Sequence, residues 1–350
     1  MAGRPTMRDV AAAAGVSHQT VSRVVNDERS VTEPVRERVR AAITALGYRP
    51  SAGGRAMARG RTEVVALVVP HAAGFTFGND HLMRLIGGAE QEVAARGYGL
   101  LLSTREPGGD AMSAFTRFDR RSLVDGFLVE GGAGLTGLSD LLAQGYPAVV
   151  IGYADDDLPM VHPDDEGGAY AVVQHLLALG HRRIGIVNGP AENHLAMAAR
   201  RTGVTRAFAD AHLHPDPTLT DRGDFTAESG QAAAVRLFDR ADPPTAVFAF
   251  NDGMALGVLQ WLRESGTPGI SVAGFDDTSA APVAGLTSVA LQSQDLGRRA
   301  AQLLVDQLNG KPPSERRTIV PSRLMVRSST TPPTQPKSGS RRRGSHNVKG

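Results

Sequence analysis

Residues 7–26 read MRDVAAAAGVSHQTVSRVVN, and this stretch decides the fold of the amino-terminal region. Its apolar residues recur at helical spacing, which predicts two short helices that share a small apolar seam. Gly15 stands where the first helix must end and a left-handed residue is needed. Ser17 can accept a hydrogen bond from the first amides of the second helix. We therefore expect a helix-turn-helix unit.

The second helix of this unit has an outward polar face that carries His18, Gln19, Ser22 and Arg23. Hydrogen-bond donors and acceptors on such a face are what reading base edges in a major groove requires. An ordinary pair of small helices with a solvated face is the alternative. The relative spacing of an alanine, a glycine and a valine in this stretch favours the DNA-reading interpretation.

A third helix is predicted from Glu33 to Leu46, and it completes a headpiece of residues 1–49. Thr32 is its expected N-cap, and Gly47 ends it. Residues 50–62, PSAGGRAMARGRT, then form a basic linker.

Charge is distributed unevenly along a chain of 350 residues whose formal net charge is only +2. Residues 1–61 hold eleven Lys and Arg against five Asp and Glu, whereas residues 62–330 hold 22 against 31. Residues 331–350 hold five basic residues and no acidic one. A basic headpiece on an acidic body indicates a polyanionic partner for the headpiece alone. Its arginines, Arg36 among them, would attract DNA phosphates.

The sequence also limits the kinds of chemistry that the protein can carry out and the compartments in which it can lie. The absence of cysteine excludes disulfides, thiolate metal sites and cysteine nucleophiles. The amino-terminal residues lack a signal-peptide hydrophobic run, and no apolar stretch reaches membrane-spanning length. We therefore expect a cytoplasmic protein without a membrane partner.

From Glu63 onward, near-continuous apolar strands alternate with amphipathic helices. The predicted strands are 64–69, 99–103, 126–130, 148–152, 183–188, 245–250 and 270–275, and the predicted helices include 82–96, 166–179, 197–211, 226–239, 252–265 and 294–309. This alternation predicts an α/β architecture of parallel sheets covered by helices on both faces. Residues 63–330 are too many for a single hydrophobic core, so we expect two similar lobes. A ligand cleft is then expected at the carboxyl ends of the strands. Residues 331–350 are rich in Pro, Ser, Gly and Arg and are expected to be disordered.

Taken in order, these motifs resemble the LacI/GalR family of bacterial repressors across residues 6–329. The headpiece carries RDVAAAAGVSHQTVSRVVN and VTEPVRERVRAAITALGYRP, and the body carries VDGFLVEGG, FNDGMALGVL, VAGFDD and SRLMVRSS. The resemblance implies a two-lobed body like that of periplasmic binding proteins. It also implies a homodimer on a double-stranded DNA operator and a small effector, a sugar, between the lobes. No cofactor and no enzymatic activity are implied.

The resemblance assigns DNA contacts residue by residue. His18, Gln19 and Arg23 resemble the family's base-reading residues, and Gln19 is suited to adenine and Arg23 to guanine. Contacts to phosphates, which fix the register without reading sequence, fall on Ser17, Thr20 and Ser22.

The linker resembles the family's hinge helix, which binds the minor groove and inserts an apolar side chain between base pairs. Met57 stands at the inserted position, and Arg55 is assigned as a further DNA contact. Gly53 and Gly54 depart from the family pattern, because each glycine inside a helix costs about 1 kcal/mol relative to alanine. A plain flexible linker is therefore the alternative for residues 50–60.

For the effector cleft, the resemblance implies contacts from both lobes. The residues assigned to it are Asn79, Asp80, Asp164, Arg200, Phe225, Asn251 and Asp276. Arg201 and Asp277 are the neighbouring alternatives to Arg200 and Asp276, and core packing is the alternative role for Phe225. Several carboxylates, one arginine and a few aromatic rings favour a neutral sugar or polyol.

Two other functions fit parts of the sequence. GAGLTG at residues 132–137 matches the GxGxxG dinucleotide fingerprint of a dehydrogenase, but it follows the third strand rather than the first, where that fingerprint belongs. A periplasmic sugar-binding protein shares the two-lobed body but not the headpiece. His212 and His214 lie together without further metal ligands, so no metal site is expected.

Overall fold

The computed structural model describes residues 5–28, 30–48, 61–115, 118, 123–131, 136–154, 158–190, 194–311, 313 and 315–334. Three of the sequence-based expectations fall outside these ranges. They concern the hinge with Arg55 and Met57, the glycine motif that begins at residue 132, and the tail beyond residue 334.

The headpiece consists of the three expected helices: α1 (Met7–Ala14), α2 (His18–Val25) and α3 (Glu33–Leu46). Gly15 ends α1 with φ +64°, and Ser17 begins α2 by accepting a hydrogen bond from the Thr20 amide at 3.1 Å. Thr32 precedes α3, but its side chain makes no capping hydrogen bond. A shared apolar core buries Val10, Ala11, Ala14, Val21, Val24, Val39, Ala42 and Tyr48.

Arg36 differs from the sequence-based expectation. It is only 8% exposed, and its guanidinium donates to the Asp27 carboxylate at 2.7 Å and to the Glu28 carbonyl at 2.8 Å. The Glu33 carboxylate lies 3.5 Å from its Nε. These hydrogen bonds hold the loop before α3 against that helix. Because the partners already compensate the charge of Arg36, it is not available to attract phosphate.

The body alternates strands and helices as predicted. Its described strands are β1 (Val64–Ala72), β2 (Gly99–Arg105), β3 (Gly126–Glu130), β4 (Ala148–Ile151), β5 (Met160–Pro163), β6 (Ile184–Asn188), β7 (Thr220–Arg222), β8 (Ala246–Ala249), β9 (Ser271–Ala273), β10 (Ser288–Ala290), β11 (Arg317–Val320) and β12 (Arg323–Met325). Its described helices are α4 (Ala73–Gly78), α5 (Asp80–Ala95), α6 (Thr136–Ala143), α7 (Asp165–Ala178), α8 (His194–Asp210), α9 (Ala227–Phe238), α10 (Asp252–Glu264), α11 (Ala280–Ala284) and α12 (Ser293–Leu308). Every strand and helix predicted from the sequence is present.

These elements form two lobes. Strands β1 to β5 and β11 pair in parallel in one sheet, in the order β11-β5-β4-β3-β1-β2, which we call the N-lobe sheet. Strands β6 to β9 form the parallel C-lobe sheet in the order β7-β6-β8-β9, and β10 pairs with β12 antiparallel beside it. The chain therefore crosses between the lobes after β5, after β10 and after β11. Buried apolar residues cover the N-lobe sheet in two clusters, and a third cluster fills the C-lobe.

Two segments belong to the body although the sequence analysis placed them outside it. The Thr62 amide, in the predicted linker, donates to the Asp125 carboxylate at 2.7 Å. At the other end, the Thr331 amide donates to Ser271 Oγ at 2.9 Å, and the Thr331 carbonyl lies 2.8 Å from His181 Nε2. The first residues of the predicted disordered tail are thus held on the C-lobe by hydrogen bonds.

Helices α5 and α12 cross closely because glycines stand at the crossing. A Cβ atom on Gly88 would lie 2.0 Å from the Gln294 carbonyl oxygen, and one on Gly297 would lie 2.0 Å from the Leu85 carbonyl oxygen. Both obstacles are backbone atoms, which cannot move without shifting a helix. The crossing therefore requires glycine on both helices.

Gly88→Ala is expected to lower the free energy of unfolding by about 1–3 kcal/mol, the usual cost of overpacking. Gly87, on the same helix, gives a matched control because an added Cβ would meet nothing within 4 Å. Gly87→Ala should instead raise stability by about 0.5–1 kcal/mol, since alanine is the better helix former. Urea unfolding followed by circular dichroism compares the two variants, and equal midpoints would contradict the close crossing.

Candidate functional site

Helix α2 presents the polar face that the sequence predicts. His18, Gln19 and Arg23 are exposed, whereas Val21 and Val24 on the opposite side are buried in the headpiece core. The apolar side of this short helix therefore fixes its orientation, and the three exposed side chains point away from the headpiece. They supply amide, imidazole and guanidinium groups of the kind that hydrogen-bond to base edges.

The three hydroxyl residues assigned to phosphate contacts also support the helix itself. Ser17 Oγ lies 2.8 Å from Thr20 Oγ1 and caps the helix, and Ser22 Oγ accepts a 3.4 Å hydrogen bond from Asn26 Nδ2. Ser17 is exposed, and Thr20 and Ser22 are partly exposed. These contacts hold the hydroxyls in place, and the positive end of the helix dipole beside Ser17 favours an anion.

A cavity of about 470 Å³ lies between the two lobes. Each of its walls includes residues at the carboxyl ends of parallel strands, where ligands of such sheets bind. Its lining includes five of the seven residues that the sequence assigned to an effector: Asn79, Arg200, Phe225, Asn251 and Asp276.

Arg200 lies on α8 and is 6% exposed. Its Nε donates to the Asp165 carboxylate at 2.7 Å, and its Nη1 donates to the Phe250 carbonyl. The guanidinium carbon lies 3.7 Å from the centroid of the Phe275 ring, which is a cation–π contact. Arg201 is exposed, so Arg200 rather than its neighbour reaches the cavity.

Asn251 and Phe225 are held together at the cavity wall. Asn251 Oδ1 caps α10 by accepting from the Met254 amide at 2.9 Å, and Asn251 Nδ2 donates to the Phe225 carbonyl at 2.9 Å. Phe225 has φ +72°, a conformation that residues other than glycine rarely adopt. The hydrogen bond from Asn251 stabilises this backbone conformation, so Asn251 caps the helix and shapes the cavity at once.

Asp276 follows β9 and has φ +107°. Burial raises the pKa of its carboxyl well above the usual range, against the opposing effect of the Arg200 charge. The oxygens of a carboxyl group at this position suit the hydroxyl groups of a polyol, with which they can form hydrogen bonds. Asp277 instead lies 2.7 Å from the Arg327 guanidinium, so Asp276 is the aspartate that faces the cavity.

The assignment of Asp80 to the effector is not supported by the geometry, because Asp80 lies off the cavity wall. Its carboxylate accepts from the Ser279 amide at 2.7 Å and pairs with Arg84 Nη2 at 2.7 Å. Arg84 in turn donates to the Asp277 carbonyl at 3.1 Å. Asp80 and Arg84 thus link α5 of the N-lobe to the loop after β9 in the C-lobe by hydrogen bonds.

Asp164 also lies off the cavity wall, contrary to the sequence-based assignment. Its carboxylate accepts from the Gly167 amide at 2.8 Å and caps the first turn of α7. A carboxylate at this position satisfies an unpaired amide and interacts favourably with the helix dipole. The role of Asp164 in the structure is therefore to begin a helix.

The N-lobe wall of the cavity carries three polar residues that the sequence does not predict: His71, Arg105 and Glu130. They stand near the carboxyl ends of β1, β2 and β3, which are neighbours in the sheet. His71 Nε2 lies 3.2 Å from a Glu130 carboxylate oxygen. Burial disfavours the charged imidazole, but the Glu130 carboxylate outweighs it and raises the pKa of His71 above its ordinary value.

His81 is a further cavity residue that the sequence analysis did not assign. Its Nδ1 lies 2.7 Å from Ser293 Oγ. Burial lowers the pKa of His81 to about 4, and the positive charges of Arg200 and Arg84 act in the same direction. The ring is therefore neutral near pH 7, so one of its nitrogens donates a hydrogen bond and the other accepts one.

Two features that would indicate other functions are absent from the part of the chain that the structure describes. No helix there combines the length and the apolar character that crossing a membrane requires. No group of three or more His, Asp or Glu side chains there is placed to hold a metal ion.

Comparisons with known proteins match both parts of the chain. The model for bacterial regulatory proteins of the lacI family matches residues 6–51, and the model for a periplasmic binding protein-like domain matches residues 173–330. The HTH-type transcriptional regulator CelR of Thermobifida fusca is 35% identical over 338 residues, which cover 93% of this chain and 98% of CelR. A structure of a CelR–cellobiose complex aligns with a TM-score of 0.71 at 34% identity, over 93% of this chain and all of that one. The lac repressor dimer bound to operator and an anti-inducer aligns with a TM-score of 0.82 at 26% identity, over 94% of this chain and all of that one.

Proposed function

Since this chain belongs to the lacI family of bacterial regulatory proteins, we propose that it represses transcription as a homodimer and that a sugar bound between its lobes controls its affinity for an operator. It is a DNA-binding regulator rather than an enzyme. Its place of action is the cytoplasm, where the bacterial chromosome lies.

The observation that carries this proposal is the combination of two sites in one chain. One is the exposed face of α2, with His18, Gln19 and Arg23. The other is the interlobe cavity, whose C-lobe wall joins Arg200 and Asp276 with the ring of Phe225. A regulator needs both a DNA-reading face and a separate ligand site that alters it.

The chemistry of the C-lobe wall supports a sugar. The contacts of Arg200 with Asp165 and Phe250 use its Nε and Nη1, which leaves Nη2 to donate to a ligand hydroxyl. The Asp276 carboxyl would accept hydroxyl donors, and the Phe225 ring would pack against the C–H face of a pyranose. The relative CelR, whose structure is a complex with cellobiose, lends further support to this class of ligand.

Fluorescence anisotropy tests the proposal directly. The full chain is titrated into labelled DNA from the region upstream of its own gene, with and without each sugar of a panel of mono- and disaccharides. We expect one sugar to change the operator Kd by roughly 5–150-fold, the usual range of allosteric coupling. Operator affinity that no sugar in the panel changes, in a chain that binds none of them by calorimetry, would overturn the sugar assignment.

Arg23→Ala is expected to reduce the preference for the operator over random DNA by about 5–150-fold, corresponding to ~1–3 kcal/mol for one bidentate base contact. Arg23 is exposed, and its Nε lies 3.8 Å from the Glu28 carboxylate, too far for a hydrogen bond, so the guanidinium is available to DNA. Salt-sensitive binding to random DNA should remain.

Arg38→Ala supplies the matched control, since Arg38 is an exposed arginine on α3 outside the DNA-reading face. This variant should weaken binding to both DNAs by the same factor or leave both unchanged. Competition titrations at two salt concentrations measure the ratio of the Kd for random DNA to the Kd for the operator. An operator preference that survives in Arg23→Ala would contradict the role given to α2.

A further inference from the structure

The N-lobe wall of the cavity carries its own set of polar residues, separate from the C-lobe wall. The sheet order places β1 between β3 and β2, so His71 stands between Glu130 and Arg105. All three side chains line the cavity. We call this set, together with Phe75, the N-lobe subsite.

Glu130 is the residue in the N-lobe subsite whose hydrogen bonding is incomplete. Its side chain is 13% exposed, and its Oε2 is buried without a well-aligned hydrogen bond, although His71 Nε2 lies 3.2 Å away. His71 is thus a close but poorly aligned neighbour, and a buried carboxylate oxygen that lacks a well-aligned donor gains from a further partner in protein, water or ligand. A ligand hydroxyl in the cavity is such a donor.

Phe75 supplies an apolar surface beside these polar groups. It lies on α4, lines the cavity and remains 36% exposed. Its ring centroid is 5.0 Å from the His71 ring, with the planes tilted by 48°. The N-lobe subsite therefore combines a carboxylate, a guanidinium group, an imidazole and an aromatic ring.

The two walls match in their chemistry. The C-lobe wall offers Asp276, Arg200 and Phe225, and the N-lobe subsite offers the same three kinds of group. Each set has what a pyranose ring needs, namely an acceptor for hydroxyls, a donor to ring or hydroxyl oxygens, and an apolar face for C–H groups. The cavity volume of about 470 Å³ is typical of sites that bury most of a drug-sized ligand. Such a ligand is larger than one sugar ring.

We propose that the effector is a disaccharide, with one ring against the C-lobe wall and the second ring in the N-lobe subsite formed by Phe75, His71, Arg105 and Glu130. This inference rests on the proposed function, because it requires that the cavity binds a sugar. In the competing arrangement, a single sugar ring contacts both walls. Variants of the N-lobe subsite would then weaken the binding of monosaccharides and disaccharides equally.

Calorimetry on the full chain separates these arrangements. The probes are cellobiose, maltose, lactose, sucrose and trehalose, each compared with its component monosaccharides. We expect one disaccharide to bind at least tenfold more tightly than its component monosaccharides. Glu130→Gln should remove most of that preference, by about tenfold, because a neutral amide oxygen replaces the charged acceptor of the ligand hydroxyl. Monosaccharide affinity should change less than twofold.

Phe75→Ala provides the second variant, and Phe77→Ala provides its control. Phe77 lies on the same short helix, is 57% exposed and does not line the cavity. Phe75→Ala should lower disaccharide affinity as Glu130→Gln does, and Phe77→Ala should leave it unchanged. Circular dichroism melts of all three variants confirm that the fold is retained.

The outcomes distinguish this inference from the function on which it rests. If a monosaccharide binds as tightly as every disaccharide, or if Glu130→Gln weakens both sizes of sugar equally, the two-ring arrangement is overturned while the sugar function stands. If neither size of sugar binds the unaltered chain, the proposed function fails and the disaccharide inference fails with it.

Discussion

Arg200→Met is expected to lower the free energy of unfolding of the C-lobe by about 3–5 kcal/mol, the usual cost of breaking a buried ion pair by removing one partner. The Asp165 side chain is 1% exposed, and Arg200 Nε is its charged partner at 2.7 Å. Methionine would leave that carboxylate buried and unpaired, and it would also remove the cation from the Phe275 ring. Urea unfolding followed by the fluorescence of the single tryptophan, Trp261 on the C-lobe helix α10, measures this loss.

Two further variants show whether the loss comes from the unpaired charge. Asp165→Asn in the Arg200→Met background removes that charge, so much of the stability should return although sugar binding should not. Arg201→Met, at an exposed neighbouring position, should change stability by less than about 0.5 kcal/mol. An Arg200→Met chain that unfolds at the same urea concentration as the unaltered chain would show that the Arg200–Asp165 ion pair contributes nothing to stability.

The long strands of the body could be predicted because each is a near-continuous apolar run, as burial on both faces requires. The strands that the sequence analysis missed have three or four residues each: β5, β7, β10, β11 and β12. Thr220–Arg222 is wholly polar, and Arg317–Val320 begins with an arginine and a threonine. Such segments become strands through pairing with a neighbour already in place, so their local sequence carries little signal.

Part of the C-lobe wall of the cavity could be predicted because two of its residues follow recognisable strands. Asn251 comes after β8 and Asp276 after β9, at the sheet edge where ligands bind. The same rule, applied to the N-lobe, would have found Arg105, the last residue of β2. Glu130 closes the apolar strand β3, so the pattern of the sequence predicts a strand residue there and gives no sign of the cavity.

The sequence predicts an effector contact at Asp80 because two polar residues, Asn79 and Asp80, stand side by side there. Asn79 is the N-cap of α5 with an extended backbone, whereas Asp80 is the first residue of the helix, so their side chains leave the chain in different directions. Asn79 lines the cavity, and Asp80 points instead to the Ser279 amide of the other lobe. Sequence alone cannot settle which of two such neighbours faces a cleft, because the answer depends on how the lobes are packed.

The pH dependence of stability should carry a separate contribution from His81. Its pKa is about 4 in the folded chain against 6.5 for an unperturbed histidine, so the unfolded chain binds more protons below pH 6.5. The stability that His81 contributes is complete above pH 6.5 and is lost as the pH falls toward 4. The lost amount approaches about 3 kcal/mol, from the size of the pKa difference.

His81→Asn isolates this contribution, because the asparagine amide keeps a polar partner for Ser293 Oγ but does not titrate. Asp252, whose pKa burial raises to about 6, and Asp276 act in the opposite direction, but both are present in either chain. The stability difference between the unaltered chain and His81→Asn should therefore be constant above pH 7 and shrink steadily from pH 6.5 to pH 4.5, because only the unaltered chain loses the His81 contribution. The exposed His214, changed to Asn, should leave the pH profile as it was. A constant difference between the unaltered and His81→Asn chains across this range would mean that His81 titrates as a solvated histidine, in contradiction to its burial at the junction of α5, α12 and the cavity.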